Sequence, residues 1–192
     1  TIVYKNGKKP SLTDVVVLDM NNDNKAEKIS ISPVTEENVN FSLNVIFMKK
    51  ALLERLINDA ISLNYKDFEA DIIQGNVDKL NIYGYEATGY AATIESMESY
   101  FKVNMELLDI ANCDDLFNAD RPIYTKVRDD MPAIYGLGSS VKNSLVADGC
   151  IIEGTVENSI LFRGVRVGKG AVIKNSIIMQ DGFVAQNASL NC

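Results

Sequence analysis

Short aliphatic pairs, separated by Gly, Asn and charged residues, recur through the last third of the chain, as at Leu145-Val146 and Ile177-Ile178. Pairs this short cannot build a helix of ordinary length, and their β-branched residues favour strands. An Asn-Ser or Asn-Cys pair starts each copy of the repeated phrase, and the starts lie 15, 17 and 16 residues apart. Repetition at this period is typical of a solenoid. The four starts are Asn143-Ser144, Asn158-Ser159, Asn175-Ser176 and Asn191-Cys192.

Residues 165–173 show the pattern most clearly, with an aliphatic residue about every six positions and Gly beside it. Hexapeptide repeats of this kind wind a parallel β-helix, in which the aliphatic residues of one coil stack on those of the next. We therefore predict a parallel β-helix over residues 134–192, with its Asn residues stacked as a ladder. The alternative is an antiparallel β domain with Gly turns. Because Asn191 would begin a fourth coil, we expect this chain to be part of a longer protein.

The first 112 residues mix strand and helix patterns and predict an α/β domain over residues 1–112, joined by a linker at residues 113–133 to the β-helix. Two of the strands form a predicted hairpin around the turn cluster at residues 21–24. Asp19, Asn21 and Asp23 in that turn superficially resemble a calcium loop, but the loop glycine and the bidentate Glu are missing, which favours a plain turn. The predicted strands cover residues 12–19, 26–32, 42–48 and 80–85.

Two helices are predicted, one over residues 49–63 and one that begins near Thr93, a good N-cap residue. Six apolar residues of the first helix fall on one stripe at helical spacing, and we interpret that stripe as core packing. The stripe consists of Leu52, Leu53, Leu56, Ile57, Ala60 and Ile61.

Composition excludes several classes of function. The chain has no His, so His-based general base catalysis and His metal ligation are both absent. Its formal net charge of −7 argues against a nucleic-acid surface, and no apolar run is long enough to cross a membrane. The three cysteines are far apart, show no metal or disulfide spacing and suit a reducing cytosol, and no signal peptide is visible at residues 1–5. We therefore expect a cytoplasmic protein.

Three motifs resemble one family. Residues 84–96 (Gly-Tyr-Glu-Ala-Thr-Gly-Tyr-Ala-Ala-Thr-Ile-Glu-Ser) and the phrase Asp67-Phe68-x-x-Asp71-Ile72-Ile73 are similar to segments of bacterial glucose-1-phosphate adenylyltransferase, or ADP-glucose pyrophosphorylase. Residues 42–47 match a further segment of that family. The resemblance implies a partial, Rossmann-like nucleotidyltransferase domain followed by a left-handed β-helix. It covers the C-terminal half or so of such a protein, without the nucleotide-binding part.

Two departures from the family pattern bear on catalysis. Aligned on Thr93-Ile94-Glu95, Tyr90 stands where the resemblance implies a carboxylate that binds magnesium. A neutral phenol is a poor ligand for a hard cation, and phosphoryl transfer depends on metal charge stabilisation. Ser32 stands where the family has a lysine for the sugar phosphate. The chain therefore resembles the non-catalytic, regulatory (GlgD-type) subunit, which implies no metal or cofactor of its own, with Mg²⁺ and ATP held by a catalytic partner in a heterotetramer that acts in glycogen biosynthesis.

The sequence is also compatible with other functions. An active glucose-1-phosphate adenylyltransferase would need a substitute carboxylate near the substrate, for which Asp71 and Glu86 are the candidates. A hexapeptide-repeat acyltransferase is disfavoured because such enzymes commonly use a His base. Basic residues near the solenoid could bind an anionic effector, although a solvated charged face is the simpler interpretation, and Glu153 and Glu157 are expected to pair with nearby bases. The effector candidates are Lys126, Arg128, Arg163 and Arg166, with Lys169 and Lys174 close to them in sequence.

Overall fold

A computed structural model of the chain describes residues 1–8, 15–32, 38–126 and 128–192. The chain divides into two compact units, Thr1–Thr93 and Ile94–Cys192. The predicted α/β region followed by a β-helix is confirmed, while the predicted boundaries at residues 112 and 133 stay predictions.

Unit 1 is built on a five-stranded mixed sheet with the strand order β3-β2-β4-β1-β5. Neighbouring strands are antiparallel except β1 and β5, which are parallel. The β2–β3 hairpin is confirmed, although residues 12–14 of the predicted strand lie outside the described residues. The strands are β1 (Ile2–Lys8), β2 (Val15–Met20), β3 (Ala26–Ser32), β4 (Asn38–Ile46) and β5 (Gly84–Glu86).

The turn between β2 and β3 is held by the Asn21 side chain, whose Oδ1 accepts hydrogen bonds from the backbone N–H of Asp23 and Lys25, each at 3.0 Å. Asn24 adopts a left-handed conformation with φ of 57°, which Asn tolerates. The side chain of Asn21 therefore organises a plain turn, in agreement with the prediction.

Period-two alternation sends one face of the sheet into the core of unit 1. Ile2, Val16, Leu18 and Ile29 are all buried, and Leu18 pairs directly with Ile29 across the hairpin. Strand β1 supplies Ile2 to this core and lies between β4 and β5, although no strand was predicted there.

Helix α1 spans Lys50–Leu63 and ends at Asn64, whose φ of 56° provides a left-handed C-cap. Its predicted apolar stripe is only partly explained by packing. Leu56 is buried, whereas Ile57 is 43% exposed and Ile61 is 73% exposed. The interpretation of the whole stripe as core packing was therefore wrong for the described chain, because the helix packs along one edge of the stripe only.

A π-helix at Phe68–Ile73 and a 3₁₀ turn at Gln74–Asn76 follow α1. Unit 2 opens with α2 (Met97–Glu106) and α3 (Ile110–Leu116). The predicted N-cap Thr93 is wrong, because Ser96 accepts a hydrogen bond from the Ser99 N–H while Ser99 Oγ accepts one from the Ser96 N–H, a reciprocal capping box. In the described residues, no helix is long and apolar enough to cross a membrane.

Residues 134–191 of unit 2 form a parallel β-helix of about three turns, which confirms the predicted solenoid. Its short strands stack into three sheets, named here face one, face two and face three. Face one comprises β7 (Ser140–Lys142), β10 (Thr155–Glu157), β13 (Val172–Lys174) and β16 (Ser189–Asn191). Face two comprises β8 (Leu145–Val146), β11 (Ile160–Leu161) and β14 (Ile177–Ile178). Face three comprises β6 (Ile134–Tyr135), β9 (Ile151–Ile152), β12 (Arg166–Val167) and β15 (Phe183–Val184).

The corner between face three and face one explains the uneven period of the repeat. Four residues form this corner at 136–139, 168–171 and 185–188, but only Glu153 and Gly154 form it between β9 and β10. The spacing of 15 includes the short corner, and the spacing of 17 includes a four-residue corner. The last spacing, of 16, has another cause. Asn143, Asn158 and Asn175 each follow a strand of face one, whereas Asn191 is the last residue of β16 and pairs with Lys174.

An asparagine ladder joins the coils at the corner between face one and face two. The Nδ2 group of Asn143 donates to Asn158 Oδ1 at 2.9 Å, Asn158 donates in the same way to Asn175 at 2.7 Å, and Asn175 donates to Asn191 at 3.0 Å. Asn143, Asn158 and Asn175 have positive φ values of 43°, 49° and 47°. The predicted ladder is thus confirmed, with Asn191 joining it from the preceding register position.

A second ladder of serines runs inside the first. Ser159 N–H donates to Ser144 Oγ at 3.1 Å, and Ser176 N–H donates to Ser159 Oγ at 3.1 Å. Each hydroxyl in turn donates to the carbonyl two residues earlier, as Ser159 does to Glu157 at 2.8 Å. Ser159 is fully buried, so these paired bonds satisfy polar groups that would otherwise be costly inside the coil stack.

The interior of the β-helix is filled by aliphatic residues, one layer from each coil. Val156 on face one, Leu161 on face two and Val167 on face three are almost completely buried and form the layer of the second coil. Burial of this surface is the main favourable contribution to the stability of the domain.

Candidate functional site

The segment at residues 84–93, which carries the departure from the family pattern, lies beside β1. Strand β5 pairs in parallel with β1, and Glu86 is the register partner of Tyr4. The backbone N–H of Ala87 donates to the Tyr4 carbonyl at 2.8 Å. The ammonium group of Lys5 then donates to the carbonyl of Gly89 at 3.0 Å. Strand β1 therefore fixes both the start and the middle of this segment.

Tyr90 follows directly after the carbonyl that Lys5 holds, and its side chain is half-buried. No carboxylate occurs among residues 88–92. Ser32, the second departure, lies at the end of β3 opposite Val15, and the residues that follow it at 33–37 lie outside the described part. Tyr90 and Ser32 thus lie on different elements of the same unit.

Glu86, a candidate substitute carboxylate, is engaged by a neighbour. The hydroxyl of Tyr4 hydrogen-bonds to the Glu86 carboxylate. Burial, followed by the charge of Glu86 and that hydrogen bond, raises the pKa of Tyr4 above its ordinary value. The carboxylate of Glu86 therefore stabilises the protonated phenol.

Asp71, the other candidate, caps a loop. Its Oδ2 accepts hydrogen bonds from the backbone N–H of Lys66 at 2.9 Å and of Asp67 at 3.0 Å. Asp67 Oδ1 accepts in return from Glu69 and Ala70 at the start of the π-helix. The two bonds, that from Asp67 first, lower the pKa of the Asp71 carboxyl. One oxygen of Asp71 is therefore committed to the backbone.

We expect the substitution Asp71→Asn to lower the thermal stability of the protein modestly at pH 7. The folded state depresses the pKa of Asp71, so the carboxylate stabilises the fold above the ordinary value of 3.8, and this contribution disappears as the pH falls through the folded-state pKa. Thermal unfolding at pH 7 and pH 2 should show a difference between wild type and variant only at pH 7. Asp78→Asn, at an exposed position, is the matched control. An equal difference at both pH values would contradict this account.

The basic residues of the β-helix are spread over different parts of it. Arg163 lies at the corner between face two and face three, and Arg166 lies on face three between Ile151 and Phe183 of the adjacent coils. Lys169 is exposed at the corner before face one. Lys126 and Arg128 are exposed in the segment that precedes the β-helix. Arg166 therefore stacks on no other basic residue, and a role of these residues in binding an anionic effector stays a prediction.

Lys174 is already paired. Its ammonium lies 2.9 Å from the Glu157 carboxylate, and Lys142 flanks Glu157 on the other side in register. The hydrogen bond and charge of Lys174, with a smaller effect of Lys142, lower the pKa of Glu157. The predicted pairing of Glu157 is confirmed. That of Glu153 is wrong, since it forms no salt bridge within the described ranges and its corner lies next to Gly136.

Tyr4 and Lys5 are the residues of this site that sequence reasoning missed. The signal was the run Ile2-Val3-Tyr4 of β-branched and aromatic residues, which favours a strand. In the part of the chain that the structure describes, no group of three or more His, Cys, Asp and Glu residues could hold a metal ion.

The fold and its repeats define the class of this protein as one with a hexapeptide β-helix. The family model described as GlmU-like, C-terminal hexapeptide matches residues 134–192. The chain is 45% identical to the glycogen biosynthesis protein GlgD of Bacillus subtilis over 133 residues, which is 69% of this chain and 38% of that protein. It is 50% identical over 132 residues to GlgD of Geobacillus stearothermophilus, which is again 69% of this chain and 38% of that protein.

A second group of relatives carries an enzyme name. The chain is 33% identical over 160 residues to glucose-1-phosphate adenylyltransferase of Clostridium novyi, covering 82% of this chain and 42% of that enzyme. This chain is therefore related to the GlgD proteins and to the glucose-1-phosphate adenylyltransferases, and the resemblance predicted from its motifs is confirmed. It spans about two fifths of the length of the curated relatives it matches.

Proposed function

We propose that this chain is part of a regulatory, non-catalytic subunit of ADP-glucose pyrophosphorylase and acts in glycogen biosynthesis. The assembled enzyme would convert ATP and glucose-1-phosphate into ADP-glucose and pyrophosphate. The observation that carries the proposal is Tyr90, a half-buried phenol in the segment where the enzymes resembled here have a metal-binding carboxylate. The 45% and 50% identities to proteins named GlgD support it.

The two possible substitutes for that carboxylate also favour a non-catalytic role. Asp71 commits Oδ2 to two backbone amides, and Glu86 accepts the hydrogen bond of Tyr4. A carboxylate that already serves as an acceptor binds a metal only after losing those bonds. In this proposal Mg²⁺ and ATP belong to the catalytic partner, and this subunit needs neither for turnover.

The β-helix would supply the surface that contacts the partner. Outward positions of face three form a row of Ile134, Ile151, Arg166 and Phe183, in which Ile134 is 51% exposed and Phe183 is 72% exposed. Apolar residues exposed in a row are typical of protein contacts. A heterotetramer assembled through this domain is the proposed state.

The test uses the full-length protein that contains this chain and the catalytic glucose-1-phosphate adenylyltransferase of the same cell. We expect no ADP-glucose synthesis by the protein alone, co-elution with the enzyme, and an altered kcat or effector response of the mixture. Phe183→Asp should weaken co-elution at least tenfold if face three forms the contact, whereas Phe117→Asp, also at an exposed position of unit 2, should not.

An active enzyme is the second candidate, favoured by the 33% identity to a named glucose-1-phosphate adenylyltransferase over most of this chain. Turnover by the full-length protein alone would establish it and overturn the regulatory proposal. Absence of both co-elution and any kinetic change in the mixture would also overturn the regulatory proposal.

A further inference from the structure

A cleft of about 370 Å³ lies between α1 and the helical turns that follow it in unit 1. It shares no lining residue with the segment at residues 84–93. The buried side chains of Leu56 and Ile72 belong to its lining, together with Leu80. A volume of this size lies within the range of small-molecule sites.

Two cationic side chains line the same cleft. Arg55 comes from α1, and Lys79 comes from the turn after the 3₁₀ helix, so the positive charges originate on two different elements. Neither forms a salt bridge with any residue that the structure describes. The cleft therefore has a mixed lining, in which two cations and the carboxylate of Asp59 lie among four aliphatic residues.

The remaining polar residues of the cleft add hydrogen-bonding capacity. Asn76 uses its Nδ2 group to donate to the Ile72 carbonyl at 2.9 Å, which leaves its Oδ1 as an acceptor. Tyr65, with a hydroxyl that can donate or accept, is 41% exposed and lines the cleft beside Asp59. Hydroxyl groups of a ligand could therefore bond to Asn76, Asp59 or Tyr65.

We propose that this cleft binds a small organic anion, with its phosphate or carboxylate between Arg55 and Lys79 and its ring against Leu56, Ile72 and Leu80. Arg recognises planar or tetrahedral oxyanions with paired N–H donors, and Lys adds a point charge. The aliphatic part of the lining favours an organic body, because a bare inorganic anion would make no contact with Leu56, Ile72 and Leu80. Asp59 beside Arg55 disfavours a ligand with several negative charges.

Isothermal titration of the full-length protein with phenyl phosphate, benzoate and inorganic phosphate tests this site. We expect saturable binding of one aromatic anion with a dissociation constant on the order of 0.1–1 mM, and binding of inorganic phosphate at least about tenfold weaker. The phenyl phosphate and benzoate arms decide between a phosphate and a carboxylate. Arg55→Gln and Lys79→Gln should each weaken binding about tenfold.

Lys50→Gln is the matched control, because Lys50 lies on the same helix but pairs with Glu54 at 3.5 Å and does not line the cleft. We expect it to leave binding unchanged. Absence of saturable binding by either aromatic anion, or equal weakening by Lys50→Gln, would overturn the site. Neither result bears on the proposed regulatory role, which is tested by co-elution and by the kinetics of the partner enzyme.

Discussion

Gly168→Ala is expected to destabilise the β-helix by about 3 kcal/mol, the upper end of the usual cost of overpacking. A Cβ atom at Gly168 would lie 2.7 Å from the backbone N of Gln186 and 3.0 Å from the carbonyl oxygen of Val184, both in the next coil. Backbone atoms cannot turn aside as a side chain can, so the two coils would have to separate. Native-state hydrogen exchange of peptides that cover β12 and β15 measures this loss locally.

Gly138→Ala separates steric crowding from backbone strain in this experiment. Gly138 has a positive φ of 84°, but a Cβ atom there would meet nothing within 4 Å. Its substitution should therefore cost only about 1 kcal/mol, from the left-handed conformation alone. Similar exchange rates in Gly168→Ala and Gly138→Ala would show that the coils do not approach each other closely at Gly168.

Asn158→Leu is also expected to cost about 3 kcal/mol, the sum of lost hydrogen bonds and backbone strain. The substitution removes two ladder hydrogen bonds, one to Asn143 and one to Asn175, each worth about 1 kcal/mol. It also forces a branched side chain into a left-handed conformation with φ of 49°, at a further cost of about 1 kcal/mol.

Asn158→Gly divides this cost into its parts. Glycine accepts positive φ without strain, so we expect it to lose about 2 kcal/mol, the contribution of the two hydrogen bonds. Hydrogen-exchange rates of the amides in β10 and β13, the strands that precede the ladder corner, would measure the loss of stability in both variants. Equal costs for Leu and Gly would show that backbone conformation contributes nothing at this corner.

The β-helix could be predicted because its signal is local. A short aliphatic pair, a Gly and an Asn in each coil determine strand, turn and corner, and each coil needs only its neighbour to bury its apolar residues. The uneven period could not be interpreted from sequence, because Glu153-Gly154 resembles any other Glu-Gly and only the strand register shows it to be a shortened corner.

Unit 1 was less predictable because its contacts are distant in sequence. Strand β1 pairs with β4 and β5, which lie about 40 and 80 residues later, so its short run of β-branched and aromatic residues was weak evidence for a strand. The stripe on α1 showed which residues share a face but not what covers them, and Ile61 is 73% exposed. Thr93 and Ser96 are both good caps, and only the bonds between Ser96 and Ser99 decide between them.

The candidate site was predicted in its residues but not in its contacts. Tyr90, Asp71 and Glu86 were named from the motifs, while the bonds that define their surroundings come from Tyr4, Lys5 and backbone amides. A backbone donor has no sequence signature, so the commitment of Asp71 to a loop could only be seen in three dimensions.

The short corner at Glu153-Gly154 shows where this domain tolerates changes in length. Corners of two and of four residues both return the chain to the same strand register, as Thr155 and Val172 pair directly despite the difference. A residue inserted within a strand would instead turn every later side chain to the wrong side and misalign the asparagines. Insertions and deletions in such a solenoid should therefore concentrate at the corner between face three and face one, or come as whole coils.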